Sequence, residues 1–186
     1  MGHGKGSMEK KKLSQGMIQV YTGDGKGKTT AALGLACRAV GHGYKVLIIQ
    51  FMKGNLDYGE METARRLVPH LTIRPMGRGC RISRENLDPV DVKLCHEAMS
   101  YARGAVTGGE YDIVVLDEIN VAMDLGLIPK EEILTLLAER PSHVELILTG
   151  RHAAQEIIER ADLVTEMKEI KHYYRKGIAS RTGIEK

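Results

Sequence analysis

The stretch Thr-Gly-Asp-Gly-Lys-Gly-Lys-Thr-Thr at positions 22–30 constrains this chain more than any other part of it. Glycines at 23, 25 and 27 alternate with polar residues. Without Cβ atoms there, the backbone can turn sharply and present bare N–H groups to an anion. The flanks suit that use. Met17 to Tyr21 is a short apolar run expected to form a buried strand, and Thr30 to Val40, rich in Ala and Leu, is expected to form a helix. An anion at the start of that helix meets unpaired N–H groups and the positive end of the helix dipole. Lys28 supplies a point charge for phosphate oxygens, and Thr29 a hydroxyl for a magnesium ion. The strict pattern would place glycine at 22, where Thr22 stands, but Gly27-Lys28-Thr29 is intact. Gly23, Asp24, Gly25, Lys26, Gly27, Lys28, Thr29 and Thr30 are therefore the expected phosphate-binding residues.

Strand and helix patterns alternate through the rest of the chain. Lys45–Phe51 is a continuous apolar run of the kind found in strands covered on both faces. Glu60–Leu67 reads as a short helix and Leu71–Arg74 as a strand. Asp88 and Pro89 are suited to the cap and first position of a helix reaching about Val106. Ile113–Leu116, Val144–Leu148 and Leu163–Met167 read as further strands; Pro129–Glu139 and His152–Arg160 read as helices. This rhythm predicts a single-domain α/β fold of the P-loop (RecA-like) type. About six mostly parallel strands would be joined by right-handed crossovers, with helices on both faces. Residues 1–16, with a lysine run at 10–12, are expected to be a disordered or arm-like segment preceding a domain over 17–186.

Ligands of such sheets sit beyond the C-terminal ends of the strands. Four polar groups are expected there: the glycine loop, Gln50 with Lys53, Asp117-Glu118, and Thr149-Gly150-Arg151. A carboxylate of the Asp117-Glu118 pair facing Thr29 would hold magnesium, directly or through water, while the other could cap a helix. Spacing alone does not choose between them. Arg151 can reach the site as a phosphate clamp or end in a surface ion pair. His96 and His152 have no second ligand at metal-binding spacing.

The net charge of +3 is too small to point to nucleic acid or membrane as the main partner, and no apolar run approaches the ~20 residues of a membrane span. The three widely spaced cysteines, 37, 80 and 95, suggest neither a disulfide framework nor a zinc site, and fit a reducing cytoplasm. With no Trp and one Phe, the core must be aliphatic. No N-K-x-D signature is present, which disfavours a GTPase. An alternative reading is a small-molecule kinase or NTPase whose arginines at 74, 78, 81 and 84 form a lid over 74–84.

Several segments together resemble the ATP:corrinoid adenosyltransferases of the cobalamin pathway. They are T-G-D-G-K-G-K-T-T-A-A-L-G at 22–34, R-A-V-G-H-G at 38–43, Q-F-M-K-G at 50–54, V-V-L-D-E-I at 114–119, L-T-G-R at 148–151 and D-L-V-T-E-M at 162–167. The resemblance implies a transferase in which Co(I) of a corrinoid attacks the 5′ carbon of ATP and triphosphate leaves in one piece. It implies that Gly23 to Thr30 hold the phosphates, that Thr29 and Glu118 hold Mg2+ (or Mn2+), and that Lys28, Thr29 and Glu118 serve catalysis. It further implies that Arg151 contacts the nucleotide, that a flavoprotein reductase supplies the electron, and that the protein is a cytoplasmic homodimer. Relatives often carry aromatics in a G-F-T-W-like stretch near the corrinoid's lower face, where Gly79-Cys80-Arg81-Ile82 stands here.

Overall fold

The run Val46–Phe51 alternates between two apolar layers, and the architecture follows from that alternation. Val46 and Ile48 pack with Ala32, Ala36 and Ala39 of one helix layer, whereas Leu47, Ile49 and Phe51 pack against Cys95, Ala98 and Met99 of the other. A strand apolar on both faces must lie inside a sheet with helices on both sides.

The computed structural model describes residues 12–54, 58–80 and 82–185. Its strands are β1 (Ile18–Thr22), β2 (Val46–Phe51), β3 (Leu71–Met76), β4 (Ile113–Asp117), β5 (Glu145–Thr149) and β6 (Leu163–Glu166). The helices are α1 (Lys28–Gly41), α2 (Gly59–Arg66), α3 (Pro89–Thr107), α4 (Ile119–Asp124), α5 (Lys130–Glu139) and α6 (Gln155–Arg160), followed by a 3₁₀ turn at Tyr173–Lys176. The strands form one sheet in the order β3-β2-β4-β5-β1-β6, and every neighbouring pair is parallel. The six strands expected from the sequence are all present. The N-terminal expectation for residues 1–11 lies outside the described residues.

Helix α1 seals one face with three alanines, small enough for the helix to lie close on Tyr21, Ile113, Val115 and Ile147. On the other face α3, α4, α5 and α6 bury Ala98, Ile119, Ile133 and Ile157 against Val114, Leu116, Leu146 and Leu148. Asp88 caps α3 as its position predicts, accepting the Val90 N–H at 2.8 Å. Carboxylates also tie down the N-terminal ends of the strands. Asp112 accepts the Lys45 N–H at 2.8 Å, Asp162 the Ile18 N–H at 2.8 Å and Glu145 the Met17 N–H at 2.7 Å. The opposite, C-terminal edge is left for binding.

Candidate active site

The site is built where the C-terminal ends of β1, β4 and β5 meet the start of α1. Strand β5 lies between β1 and β4, so the glycine loop after β1 and the acidic end of β4 are two strand spacings apart, about 10 Å. Thr149, at the end of β5, fills the gap between them. Its hydroxyl donates to Asp117 Oδ1 at 2.7 Å and accepts the Glu118 N–H at 3.0 Å. From above, Thr29 at the start of α1 donates its hydroxyl to the same Asp117 oxygen at 2.9 Å. Lys53, beyond β2, closes an ion pair with Asp117 Oδ2 at 2.6 Å. Asp117 is fully buried and holds three partners at once.

The loop itself is formed around Lys28. Gly23 and Gly27 have φ of 91° and 125°, values that disfavour any side chain. The buried Lys28 turns its ammonium back into the loop, donating to the carbonyls of Gly23 at 2.6 Å and Gly25 at 2.7 Å. Burial lowers its pKa, opposed by Glu118 and helped by Arg151. The segment after β6 supports the loop from outside. Gly25 donates its N–H to the Met167 carbonyl at 2.6 Å. A Cβ on Gly23 would lie 2.5 Å from that oxygen, and one on Gly25 2.7 Å. Gly23 is thus required by close approach as well as by the turn, and Gly25 by close approach.

A cavity of about 730 Å³ opens over this floor. All the predicted site residues border it except Gly23, which closes the turn behind it. Lys53, Tyr58, Glu60 and Thr63 line the side toward α2, and His172 and 183–185 line the side toward the tail. Glu118 sits just past β4 in a left-handed conformation, φ 65° and ψ 15°. That kink turns its side chain out of the strand alternation and toward the cavity. Among the described residues its carboxylate has no hydrogen-bond partner. Burial raises its pKa and Asp117 raises it further, against Lys53, Lys28 and Arg151. Lys53 shows the reverse balance: burial works against its charge, yet Asp117, with Glu118 and Glu60, holds its pKa above the usual lysine value.

Oxygen ligands suit a hard divalent cation. The Thr29 hydroxyl and the unpaired Glu118 carboxylate fit one, with Asp117 directly behind Thr29. No group of three or more His, Cys, Asp or Glu is arranged for a metal among the described residues. A cation here would therefore take its other ligands from phosphate and water, as magnesium does on nucleotides.

The remaining predicted residues have other surroundings. Arg151 lies 3.8 Å from Asp24, and both are exposed. His152 pairs with Asp124 at 3.0 Å, and His96 lies 3.6 Å from Glu132. Of the arginines in the alternative lid reading, the three among the described residues are engaged elsewhere. Arg74 stacks on the Tyr101 ring, Arg78 clasps Asp88 and Asp91, and Arg84 binds Asp124. None of these three borders the cavity, and Arg81 lies outside the described residues. The Asp117 hub and the Lys53 contact were open in the sequence only as polar residues at strand ends. The signal for them was only a polar residue within two positions of the end of an apolar run.

A parallel sheet in this order, with Lys28 and Thr29 in a glycine turn after β1 and an acid at the end of β4, is an α/β fold of the P-loop type. A family model described as ATP:corrinoid adenosyltransferase BtuR/CobO/CobP matches residues 14–185. The chain belongs to this family. It is similar to the corrinoid adenosyltransferase of Escherichia coli K12, with 38% identity over 172 residues, covering 92% of this chain and 86% of that protein. It resembles the corrinoid adenosyltransferase CobA of Salmonella typhimurium at 37% over the same coverage. A Pseudomonas aeruginosa corrinoid adenosyltransferase matches at 34%, covering 92% of this chain and 84% of the relative.

Proposed function

We propose that this protein transfers the 5′-deoxyadenosyl group of ATP to Co(I) of a corrinoid and releases inorganic triphosphate. The observation that carries the proposal is the convergence of Lys28, Thr29 and Glu118 on one cavity in a chain of this family. In this reading the cobalt electron pair forms the Co–C bond to C5′. The C5′–O bond breaks, and its electrons leave with the triphosphate. The protein's task is then to bind and neutralise a highly charged leaving group, and no general base is needed. Lys28, released from the carbonyls of Gly23 and Gly25, supplies one charge, while the N–H groups of Lys26 to Thr30 supply oriented dipoles. Thr29 and Glu118 would hold Mg2+ or Mn2+, with Asp117 orienting the Thr29 hydroxyl. When bound, that cation would neutralise phosphate charge as it develops. Arg151 at the cavity edge is free to move from Asp24 to phosphate, because an exposed contact at 3.8 Å costs little to break.

The nucleotide is read as lying reversed along the loop, so that its sugar faces the corrinoid. Cys80 and the partly buried Ile82 would then stand near the corrinoid in place of aromatics. A flavoprotein reductase, a homodimeric state and a cytoplasmic location belong to the same proposal. No helix among the described residues is long and apolar enough to cross a membrane. Exposed apolar side chains at Ile170, Tyr174 and Ile184 would suit a protein partner.

The test is incubation with MgATP and chemically reduced corrinoid. A light-sensitive alkyl-cobalt spectrum with equimolar triphosphate is expected. Orthophosphate or ADP as the only released product would overturn the proposal.

A further inference from the structure

The proposed reaction leaves Lys53 without a task, although the chain positions it closely. Met52 before it is left-handed, with φ of 60°. A Cβ on Gly54 would lie 2.5 Å from the Gly79 nitrogen, and one on Gly77 2.3 Å from the Met52 carbonyl carbon. The loops after β2 and β3 are therefore in backbone contact on both sides of Lys53, which leaves the backbone there little room to shift. From this base the side chain, 24% exposed, reaches the fully buried Asp117.

The chain's own groups already occupy both oxygens of Asp117. Asp117 Oδ1 takes two hydroxyls, and its other oxygen takes the ammonium. Lys28 is spent on the loop carbonyls, and Arg151 lies 3.8 Å from Asp24. A divalent cation at Thr29 and Glu118 would add two positive charges beside Asp117 and so repel the Lys53 ammonium. Lys53 borders the same cavity as the phosphate loop, on a flexible four-carbon stem with rotatable donors. A polyphosphate arriving with the cation would offer it a better partner than a carboxylate already neutralised.

We propose that Lys53 is a movable counter-ion, balancing Asp117 until a divalent cation enters and then passing to the polyphosphate. It is a binding and positioning residue for the leaving group. The inference rests on reading this cavity as a metal–polyphosphate site, and its test separates the two. Manganese binding to the full chain is followed by the loss of the free Mn2+ electron-spin signal, with and without tripolyphosphate. Lys53→Met is expected to bind Mn2+ alone about tenfold more tightly and Mn2+–tripolyphosphate about tenfold more weakly than wild type. Lys53→Arg, which keeps the charge, should hold Mn2+–tripolyphosphate close to the wild-type affinity. Unchanged affinities in Lys53→Met overturn the counter-ion role while leaving the site reading intact. A wild-type protein that fails to bind Mn2+–tripolyphosphate overturns both. A measurement on wild type avoids any folding defect of the variant. Labelling of Lys53 by an amine-reactive reagent, read by peptide mass, should rise with Mn2+ alone and fall again when tripolyphosphate is added. Labelling that ignores both additions also refutes the proposal.

Discussion

Replacing Thr149 by Val removes one oxygen and keeps the side-chain shape, so it isolates the hydroxyl that joins β5 to β4. Two interactions disappear in a site with no solvent access: the bond donated to the Asp117 carboxylate at 2.7 Å and the bond accepted from the Glu118 N–H at 3.0 Å. A hydrogen bond to a charged group contributes about 1.5–3 kcal/mol, and a buried N–H left unpaired costs about 1–3 kcal/mol. The two share an atom and do not add fully, which puts the expected loss near ~3 kcal/mol. In a chain of this size that lowers the melting temperature by about 6–12 °C. Thr149→Ser keeps both bonds and loses only a methyl group, at about 1 kcal/mol. The assay is thermal unfolding by circular dichroism, with urea titration at fixed pH as a second measure. Tripolyphosphate binding should weaken in the valine variant as well, because Asp117 loses the partner that orients it toward Thr29. If Thr149→Val melts within about 2 °C of Thr149→Ser, the bridging hydroxyl does not hold the site together and the reasoning fails.

Glu118→Gln should abolish metal-dependent turnover while leaving the fold intact. Its stability effect has a definite sign. Burial and Asp117 raise the folded carboxyl's pKa, so the stability linked to its neutral form is full below the unfolded pKa and is lost as pH rises through the folded one. Without metal, the glutamine variant should therefore gain on wild type at neutral pH and lose that advantage in acid; a constant difference across pH would count against the shift. Gly54→Ala should part the loops after β2 and β3, since its Cβ would meet the Gly79 nitrogen at 2.5 Å; about 1–3 kcal/mol of stability should be lost, measured by urea titration. Phe51→Ala, at a fully buried position, should cost about 3–5 kcal/mol in the same experiment. A thiol reagent should label the exposed Cys37 and Cys80 in the native protein and spare the buried Cys95, whose thiol burial pushes up to about 11. ATP should protect Cys37, which borders the cavity, and not Cys80.

The strands were readable because each central one is a short, continuous apolar run between turn residues, the pattern that burial on both faces demands. The strand–turn–helix context of the glycine loop was readable because its glycines and Gly27-Lys28-Thr29 lie between an apolar run and an Ala/Leu-rich one. The choice between Asp117 and Glu118 was not readable. Period-two alternation carries Asp117 onto the α1 face with Ile113 and Val115, but Glu118 leaves the strand in a left-handed conformation that non-glycine residues seldom adopt. The same holds for Met52 before Lys53. Helix α4 was legible only as a helix that one of the acidic pair could cap; it is six residues long and starts at Glu118 without a side-chain cap. The arginines of 74–84 suggested a lid by composition alone. Their partners Tyr101, Asp91 and Asp124 are distant in sequence and could be found only in three dimensions.

The contact between Gly25 and Met167 has an implication for how the protein matures. Met167, which braces the glycine turn, is translated long after the turn itself, and it directly follows the strand at the sheet's outer edge. On the ribosome a nascent chain can lay down most of its core while the glycine turn remains unbraced. If the turn grips a polyphosphate as proposed, that grip would be completed only once synthesis has passed β6.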